Sequence, residues 1–369
     1  MTIAAVLYLA ASPALHPAQE LPSFTIAQVN DLTDIMMDKV VDRDVAGVTC
    51  LVGNSEGAFF FANVGKLSLE KPDMMPKDAI FQIYSMTKPI TAATAMALVE
   101  EGKLSLDDEI SKYLPEWKDV KVRKDGEVVK AEQPVTVRDL LTHSSGLNYV
   151  PVGIRVNFSL DEFSKKIADR PLNFEPGTSY QYGYSLDVMG RVIEVVSGMG
   201  LDEASRKYIL DPCDMNETDY WVRDKSAANR IAEIHNKPDG ELKFSRRRMD
   251  IFAKPARMMG GQGMCGTTQD YANFCQMLLN DGKFDGRQVL KKETVDLMFE
   301  NHLAPIKRRY GLGGQVDGKG FYNWGGVAGT KFWVDKEHGY YGVIMLQRLG
   351  YQDTTSSAMM KLIHDTLRK

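Results

Sequence analysis

The sequence predicts an α/β (α+β) protein in which an antiparallel sheet is flanked by N- and C-terminal helices and a mostly helical insertion interrupts the chain. Strand-like runs with an adjoining helix occur near both ends of the 369 residues, while helical patterns and turns dominate the stretch between them. The simplest arrangement is a discontinuous α/β domain formed by 26–104 and 305–369, with a mostly helical insertion domain at 105–304. Ligand clefts often form where two such units meet, so we expect one there.

The individual elements are predicted from hydrophobic periodicity. Apolar residues at helical spacing predict a helix over 26–43, and two β-rich runs at 47–53 and 58–64 predict a hairpin. Near the other end, two strands and a closing helix are predicted over 331–334, 340–346 and 359–367. The middle contains a predicted charged hairpin over 120–131, which turns at Asp125-Gly126, and predicted helices over 137–142, 186–196, 202–210 and 271–280.

Composition excludes several classes of protein. Hydrophobic residues make up 44% of the chain and charged residues 25%, so a sizeable core can form and disorder of the whole chain is excluded. The 45 basic and 49 acidic residues give a net charge of −4, which provides no general electrostatic reason to bind nucleic acid. No apolar run approaches the ~20 residues needed to cross a bilayer, so we expect no stable membrane insertion.

Cysteine and histidine spacing gives no sign of a metal site. Cys50, Cys213, Cys265 and Cys275 contain no C-x-x-C pair and are too few for a disulfide framework in a chain of this length. The six His residues show no metal-binding spacing. We therefore expect no metal and no cofactor.

Residues 1–25 are predicted to be a signal peptide or a disordered tail. The apolar run 3–11 is followed by Ser12 and Ala14, which could flank a cleavage site, but no Lys or Arg precedes the run. A wrongly placed start codon is the other explanation. The balance favours an exported or periplasmic protein over a cytoplasmic one.

Two glycine-rich motifs lack the context that their functional versions need. The G-x-S-x-G motif at 53–57 is followed by a strand instead of a helix, so Ser55 is predicted to lie in a hairpin turn. The G-x-G-x-x-G motif at 261–266 has no apolar strand before it and is interpreted as a turn leading into a helix near Thr267 or Thr268. The basic runs 246–248 and 307–309 are interpreted as solvated loops, and His143 as a structural turn residue.

The most informative segment is Ser85-x-x-Lys88, which precedes an Ala-rich helical pattern over 90–101 with a stop at Gly102. A Ser at the start of a helix has its hydroxyl near the free N–H groups of the first turn, and Lys88 lies on the same face. Burial disfavours the charged form of lysine, so Lys88 could accept the Ser85 proton. Because a lone S-x-x-K is more often a helix cap and a surface lysine, the motif needs partners elsewhere.

Partners occur in two further segments. Residues 176–184 (PGTSYQYGY) precede a predicted helix, and 323–330 (NWGGVAGT) precede a predicted strand. In this order, and together with 140–147 (LLTHSSGL) and 260–271, the chain resembles the serine β-lactamase and penicillin-binding-protein superfamily. The resemblance is closest to class C β-lactamases and the family VIII carboxylesterases, and it covers nearly all of the chain beyond residue 25. It implies a β-lactamase/transpeptidase-like fold.

The resemblance implies the catalytic residues. Ser85 is the expected acylated nucleophile, and Lys88 is its immediate proton partner. Tyr182 matches the catalytic tyrosine, which serves as base and then as acid to the leaving group. The backbone N–H groups of Ser85 and Val327 are the expected oxyanion hole, a kind of donor pair that typically contributes ~3–4 kcal/mol to the transition state.

The expected substrate-binding residues depart from the superfamily pattern at two positions. Tyr-x-Asn becomes Tyr182-Gly183-Tyr184, so no Asn amide is available there to hold Lys88 or a substrate amide. The strand motif Lys-Thr-Gly becomes Trp324-Gly325-Gly326, which removes a cation from the cleft. Both departures weaken a β-lactamase assignment and favour an ester substrate.

We therefore expect a serine hydrolase that cleaves small-molecule carboxylic esters through an acyl-enzyme on Ser85. The alternatives on the same fold are a β-lactamase, a D-stereospecific peptidase or an acyltransferase, and the alternative from another class is an inactive binding or sensor protein. The substrate wall could include residues that could equally be core packing: Tyr149, Trp221, Phe252, Met258 and Met259. Oligomeric state is left open.

Overall fold

The structure is a computed structural model that describes residues 6–8, 24–151, 158–245, 250–350 and 354–368. Its strands in chain order are β1 (Val6–Tyr8), β2 (Gly47–Asn54), β3 (Gly57–Gly65), β4 (Ile80–Gln82), β5 (Lys121–Lys124), β6 (Glu127–Lys130), β7 (His235–Asn236), β8 (Lys243–Phe244), β9 (Cys265–Thr267), β10 (Lys283–Phe284), β11 (Arg287–Gln288), β12 (Gln315–Val316), β13 (Phe321–Gly325), β14 (Lys331–Asp335) and β15 (Tyr340–Leu346). Its α-helices are α1 (Ile26–Val41), α2 (Thr87–Glu100), α3 (Val137–Leu141), α4 (Leu160–Ala168), α5 (Ser185–Ser197), α6 (Leu201–Ser205), α7 (Thr268–Leu279), α8 (Lys292–Phe299) and α9 (Thr354–Leu367).

Within the described residues, seven strands form one antiparallel sheet in the order β1-β3-β2-β15-β14-β13-β12. The central pair joins the two ends of the chain, because β2 runs beside β15 with Cys50 opposite Ile344. The predicted hairpin forms between β2 and β3, and the predicted pair of C-terminal strands is β14 and β15. The predicted antiparallel sheet with helices is therefore confirmed.

Alternation along the central strands gives the sheet two buried faces. Val48, Cys50 and Val52 share one face with apolar residues of α1 and α9. The intervening residues of these strands face α7, which packs against β2, β14 and β15. Because α7 lies inside the predicted insertion, that stretch supplies a helix that covers the sheet. The division of the chain into two domains at 104 and 305 stays a prediction.

The remaining helices surround α2, which carries the Ser85-x-x-Lys88 segment at its start. Buried residues occur all around α2 from Thr87 to Leu98, and the helix packs against α5, α6 and α8. This environment explains the many alanines in α2, since small side chains let neighbouring helices approach from every side. The predicted helix 202–210 is confirmed as α6 followed by a π-helical turn over Arg206–Leu210.

Some elements were not predicted from the sequence. They include β13, α4 and α8, although α4 begins with a capping box between Ser159 and Glu162. The predicted leader 1–25 lies outside the described residues except for β1, Phe24 and Thr25, and β1 pairs with β3. The basic run 246–248 also lies outside them. In the described part of the chain, no helix is long and apolar enough to cross a membrane, and no cluster of His, Cys, Asp or Glu could hold a metal ion.

Candidate active site

Ser85 lies in a tight turn between a short strand and a buried helix. The strand β4 leads into a 3₁₀ turn over Tyr84–Met86, and α2 begins at the next residue. Tyr84 has a φ of 45°, a left-handed conformation that is costly for a bulky residue and is commonly found beside functional groups. The turn therefore holds Ser85 at the head of α2, as the sequence predicted.

Lys88 is fully buried one helical turn beyond Ser85. Its Nζ lies 3.1 Å from Ser85 Oγ, so the predicted i, i+3 contact is present. The same Nζ donates hydrogen bonds to the Gly261 carbonyl at 2.6 Å and to the Tyr149 hydroxyl at 3.3 Å. A buried amine is thus paired with three oxygen atoms, one of them on the expected nucleophile.

Tyr182 comes from the distant segment before α5 and reaches the same oxygen. Its hydroxyl lies 2.6 Å from Ser85 Oγ, and Lys88 Nζ lies 4.5 Å from the centre of its ring. The backbone holds this segment in place, because the Gln181 N–H donates to the His143 carbonyl at 2.9 Å. The structure therefore brings together the three side chains that the sequence analysis singled out as catalytic, in an arrangement suited to moving a proton to and from Ser85.

Three groups that hold Lys88 in place were not identified from the sequence. They are the Gly261 carbonyl, the Tyr149 hydroxyl and Asp187, which is fully buried on α5. Asp187 Oδ1 accepts a hydrogen bond from the Gly261 N–H at 2.8 Å, so it contacts the same residue whose carbonyl holds Lys88. Burial raises the pKa of Asp187 to about 6, while the nearby Lys88 opposes that rise.

The glycine-rich motif at 261–266 contributes backbone atoms to this site. Gly260 and Gly261 pass so close to α5 that a Cβ on Gly260 would lie 2.2 Å from the Leu186 carbonyl oxygen, and one on Gly261 would lie 2.7 Å from Asp187 Oδ2. Thr91 on α2 also donates to the Gly260 carbonyl at 2.8 Å. Glycine is therefore required by close packing, and the predicted helix follows as α7.

The turn after β13 lies against the chain just before Ser85. The Thr330 hydroxyl donates to the Ile83 carbonyl at 3.2 Å, and the Gly326 N–H donates to the Thr330 carbonyl at 2.8 Å. A Cβ on Gly326 would lie 2.5 Å from the Ile83 carbonyl oxygen, so the two segments are in close contact. Val327 is 56% exposed, and its N–H has no partner among the described residues, as an oxyanion donor requires.

The two residues that depart from the superfamily pattern form part of an aromatic cluster. The Trp324 ring lies 5.5 Å from the Tyr182 ring and 5.3 Å from the Tyr310 ring. Tyr184 lies edge-on to Tyr149 at 4.7 Å, and its hydroxyl donates to the Val150 carbonyl. Aromatic rings therefore border Tyr182 on the sides of Trp324 and Tyr149.

The residues proposed to form a substrate wall do not lie together in the structure. Tyr149 contacts Lys88, whereas Met258 and Met259 are buried core residues. Trp221 packs beneath the Arg223 guanidinium at 4.2 Å. Phe252 lines a separate cavity.

The cavity with Phe252 has a volume of about 580 Å³ and lies beside β4, where Gln82, Ile231 and Ile251 also line it. A smaller cavity of about 260 Å³ adjoins Trp324, Gly325 and Gly326. Neither cavity is lined by Ser85, Lys88 or Tyr182. We place the candidate active site at Ser85 because the hydrogen-bonded groups converge there, and cavity size alone does not identify chemistry.

The predictions for Ser55 and His143 had different outcomes. Ser55 lies in the two-residue turn between β2 and β3, as predicted, and its carbonyl accepts hydrogen bonds from Gln276 and Asn280. His143 does occupy a turn, with a φ of 58°, but its fully buried ring also lies 4.7 Å from the Tyr182 ring. The sequence analysis did not predict this contact between the His143 and Tyr182 rings.

Comparison with known proteins identifies the family. The family model described as Beta-lactamase matches residues 29–362, so this chain belongs to the Beta-lactamase family. The resemblance seen in the motifs is thereby confirmed.

Two relatives of this chain are described as esterases. The chain is similar to the lovastatin esterase of Penicillium rubens, with 29% identity over 88% of this chain and 95% of that protein. It is also similar to esterase EstB of Burkholderia gladioli, with 26% identity over 86% of this chain and 90% of that protein. Among solved structures, EstCE1, described as a hydrolase with promiscuous acyltransferase activity, matches with a TM-score of 0.80 and 22% identity over 92% of this chain and 99% of that one.

Proposed function

We propose that this protein is a serine hydrolase that cleaves carboxylic esters through an acyl-enzyme on Ser85. The observation that carries the proposal is the convergence of Lys88 Nζ at 3.1 Å and Tyr182 Oη at 2.6 Å on Ser85 Oγ. The esterase relatives support a hydrolase of this type.

The proposed reaction has two halves. Ser85 Oγ attacks the ester carbonyl while its proton passes to the Lys88–Tyr182 pair, and the N–H groups of Ser85 and Val327 receive the developing oxyanion. Tyr182 then gives a proton to the departing alkoxide, which leaves as an alcohol. In the second half a water molecule attacks the acyl-enzyme, loses its proton to the same pair, and Ser85 leaves with a proton restored.

The aromatic cluster supports an uncharged ester as substrate. A β-lactam or a peptide C-terminus carries a carboxylate, and Trp324 offers one N–H and an apolar face where the superfamily has a cation. Hydrogen bonds to charged groups contribute ~1.5–3 kcal/mol, so the loss of that cation weakens carboxylate binding by about tenfold or more. An alkoxide also leaves more readily than an amine, so ester cleavage tolerates the absence of an Asn at position 184.

Acyl transfer is the second candidate, because an acyl-enzyme can react with an alcohol in place of water. The resulting ester would form on the same Ser85 with no further catalytic group. The exposed Val327 leaves the oxyanion side of the site open to a second molecule.

One set of kinetic measurements tests the proposal and ranks the candidates. We expect kcat/KM for p-nitrophenyl butyrate to exceed that for nitrocefin or benzylpenicillin by at least about tenfold. Ethanol added at increasing concentration measures the share of butyrate that leaves as ethyl ester. The Ser85→Ala variant is the control for background hydrolysis. Equal or higher kcat/KM for the β-lactam would overturn the esterase proposal, and predominance of ethyl ester would favour the transferase.

A further inference from the structure

The cluster behind Tyr182 contains buried polar atoms that no described residue satisfies. Both ring nitrogens of His143, the Tyr310 hydroxyl and Trp324 Nε1 are buried and lack a hydrogen-bond partner among the described residues. His143 is fully buried and Tyr310 is 1% exposed. Buried polar groups are nearly always paired, so four unpaired atoms in one cluster point to an occupant.

The rings that carry these atoms are neighbours. The His143 ring lies 5.8 Å from the Tyr310 ring, which in turn lies 5.3 Å from the Trp324 ring. Tyr182 contacts two of the three, with His143 at 4.7 Å and Trp324 at 5.5 Å. The unpaired atoms therefore belong to three neighbouring rings, two of which contact Tyr182 directly.

The chemistry of these atoms selects a neutral occupant that both donates and accepts. Burial and the nearby Lys88 lower the pKa of His143 well below its usual value, so its imidazole is neutral, with one donor and one acceptor nitrogen. Trp324 Nε1 only donates, and the Tyr310 hydroxyl does both. A cationic occupant is disfavoured, because Lys88 is nearby and none of the unpaired atoms of the three rings is a carboxylate oxygen. Water offers two donors and two acceptors, so one molecule can bond to one His143 nitrogen, the Tyr310 hydroxyl and Trp324 Nε1.

We infer that His143, Tyr310 and Trp324 bind a buried water molecule behind Tyr182, and that this water fixes the Tyr182 ring against Ser85. His143 and Tyr310 are then positioning residues that act through Tyr182. The claim that the water positions Tyr182 against Ser85 rests on the proposed function, whereas the claim that a water binds there does not. The backbone bond from Gln181 to His143 is independent of the His143 side chain, so side-chain variants test the ring alone.

The sharpest variant is Tyr310→Phe, because it deletes only the hydroxyl. If the hydroxyl binds water, its loss removes a net favourable hydrogen bond; we expect kcat for p-nitrophenyl butyrate to fall about fivefold with KM unchanged, and Tm to fall. If the hydroxyl has no partner at all, its removal leaves kcat unchanged and leaves Tm unchanged or higher. Tyr180→Phe is the matched control, since that ring also contacts His143 at 6.0 Å but stacks under the Arg308 guanidinium at 3.6 Å.

Two further measurements separate the water from simple packing. A crystal structure that resolves ordered water should contain one molecule within hydrogen-bond distance of a His143 nitrogen and the Tyr310 hydroxyl. The double variant His143→Phe, Tyr310→Phe should lose no more kcat than His143→Phe alone, because both changes release the same water. Fully additive losses, or a dry cluster in the crystal, would overturn the inference. Failure of the proposed function itself would be recognised separately, because the Ser85→Ala variant would then remain active.

Discussion

Replacing Asp187 with Asn removes a fully buried carboxyl group that forms no ion pair among the described residues. Burial raises its pKa from 3.8 to about 6, against the opposing effects of Lys88 and the Gly261 N–H. The folded state therefore holds this proton more tightly than the unfolded state. It follows that the contribution of Asp187 to the free energy of unfolding falls as the pH rises from about 4 to about 6, and this contribution is not recovered at higher pH. A difference of about two pKa units corresponds to a loss of about 3 kcal/mol.

Urea unfolding followed by tryptophan fluorescence at several pH values measures this contribution. The Asp187→Asn variant lacks the titration, so between about pH 4 and pH 7 its free energy of unfolding should gain about 3 kcal/mol relative to wild type. Asp285→Asn, in the exposed turn between β10 and β11, is the control for an Asp-to-Asn change at an exposed position. Parallel curves for Asp187→Asn and wild type would refute the reasoning, as would a wild type that gains relative stability with rising pH.

The other predictions concern turnover of p-nitrophenyl butyrate. Tyr182→Phe should lower kcat by about 10²-fold or more with the fold intact, because general acid–base groups contribute that much; full activity would exclude the proposed proton route. Gly261→Ala should lower kcat, since its Cβ would displace Asp187 or the carbonyl that holds Lys88, while Gly102→Ala is the control for backbone strain: its Cβ meets no neighbouring atom but its φ is +68°, so it should lower Tm and leave kcat unchanged. Tyr149→Phe should lower kcat about fivefold by removing one of the three oxygen atoms that hold Lys88, and an unchanged kcat would show that this hydroxyl is dispensable.

Local patterns in the sequence were sufficient to predict part of the site. Lys88 follows Ser85 by three residues at the start of a helix, so helical geometry alone predicted their contact. The turn at Ser55 was likewise predictable, because the residues on both sides have strand character. Tyr182 lies 97 residues from Ser85 in the chain, and only the resemblance to a known superfamily connected the two.

The groups that hold Lys88 show why the rest could not be predicted. Gly261 is 173 residues from Lys88 and contributes a backbone carbonyl, which every residue has and which leaves no signature in the sequence. Asp187 did leave a signal, since it is a carboxylate on an otherwise apolar stretch of α5, but acidic residues in the first turn of a helix are usually explained by capping. Tyr149 could not be told apart from core aromatic residues without knowledge of which side chains converge.

The fold shows the same division between local and long-range information. Periodicity predicted α1, the β2–β3 hairpin and α7, because each has a regular apolar face. It did not predict β13, in which Asn323 and Gly325 interrupt the strand pattern and most residues are half-buried. Pairing with β14 on one side and β12 on the other makes this segment a strand, and that pairing depends on residues elsewhere in the chain.

The central claim is that Ser85 becomes acylated, and mass spectrometry after rapid acid quenching tests it most directly. Protein mixed with p-nitrophenyl butyrate for a few turnovers should carry one butyryl group on the peptide that contains Ser85. The Ser55→Ala variant should carry the same label and keep most of its activity, while Ser85→Ala should carry no label and lose turnover. A butyryl group on another residue, or undiminished hydrolysis by Ser85→Ala, would contradict the account.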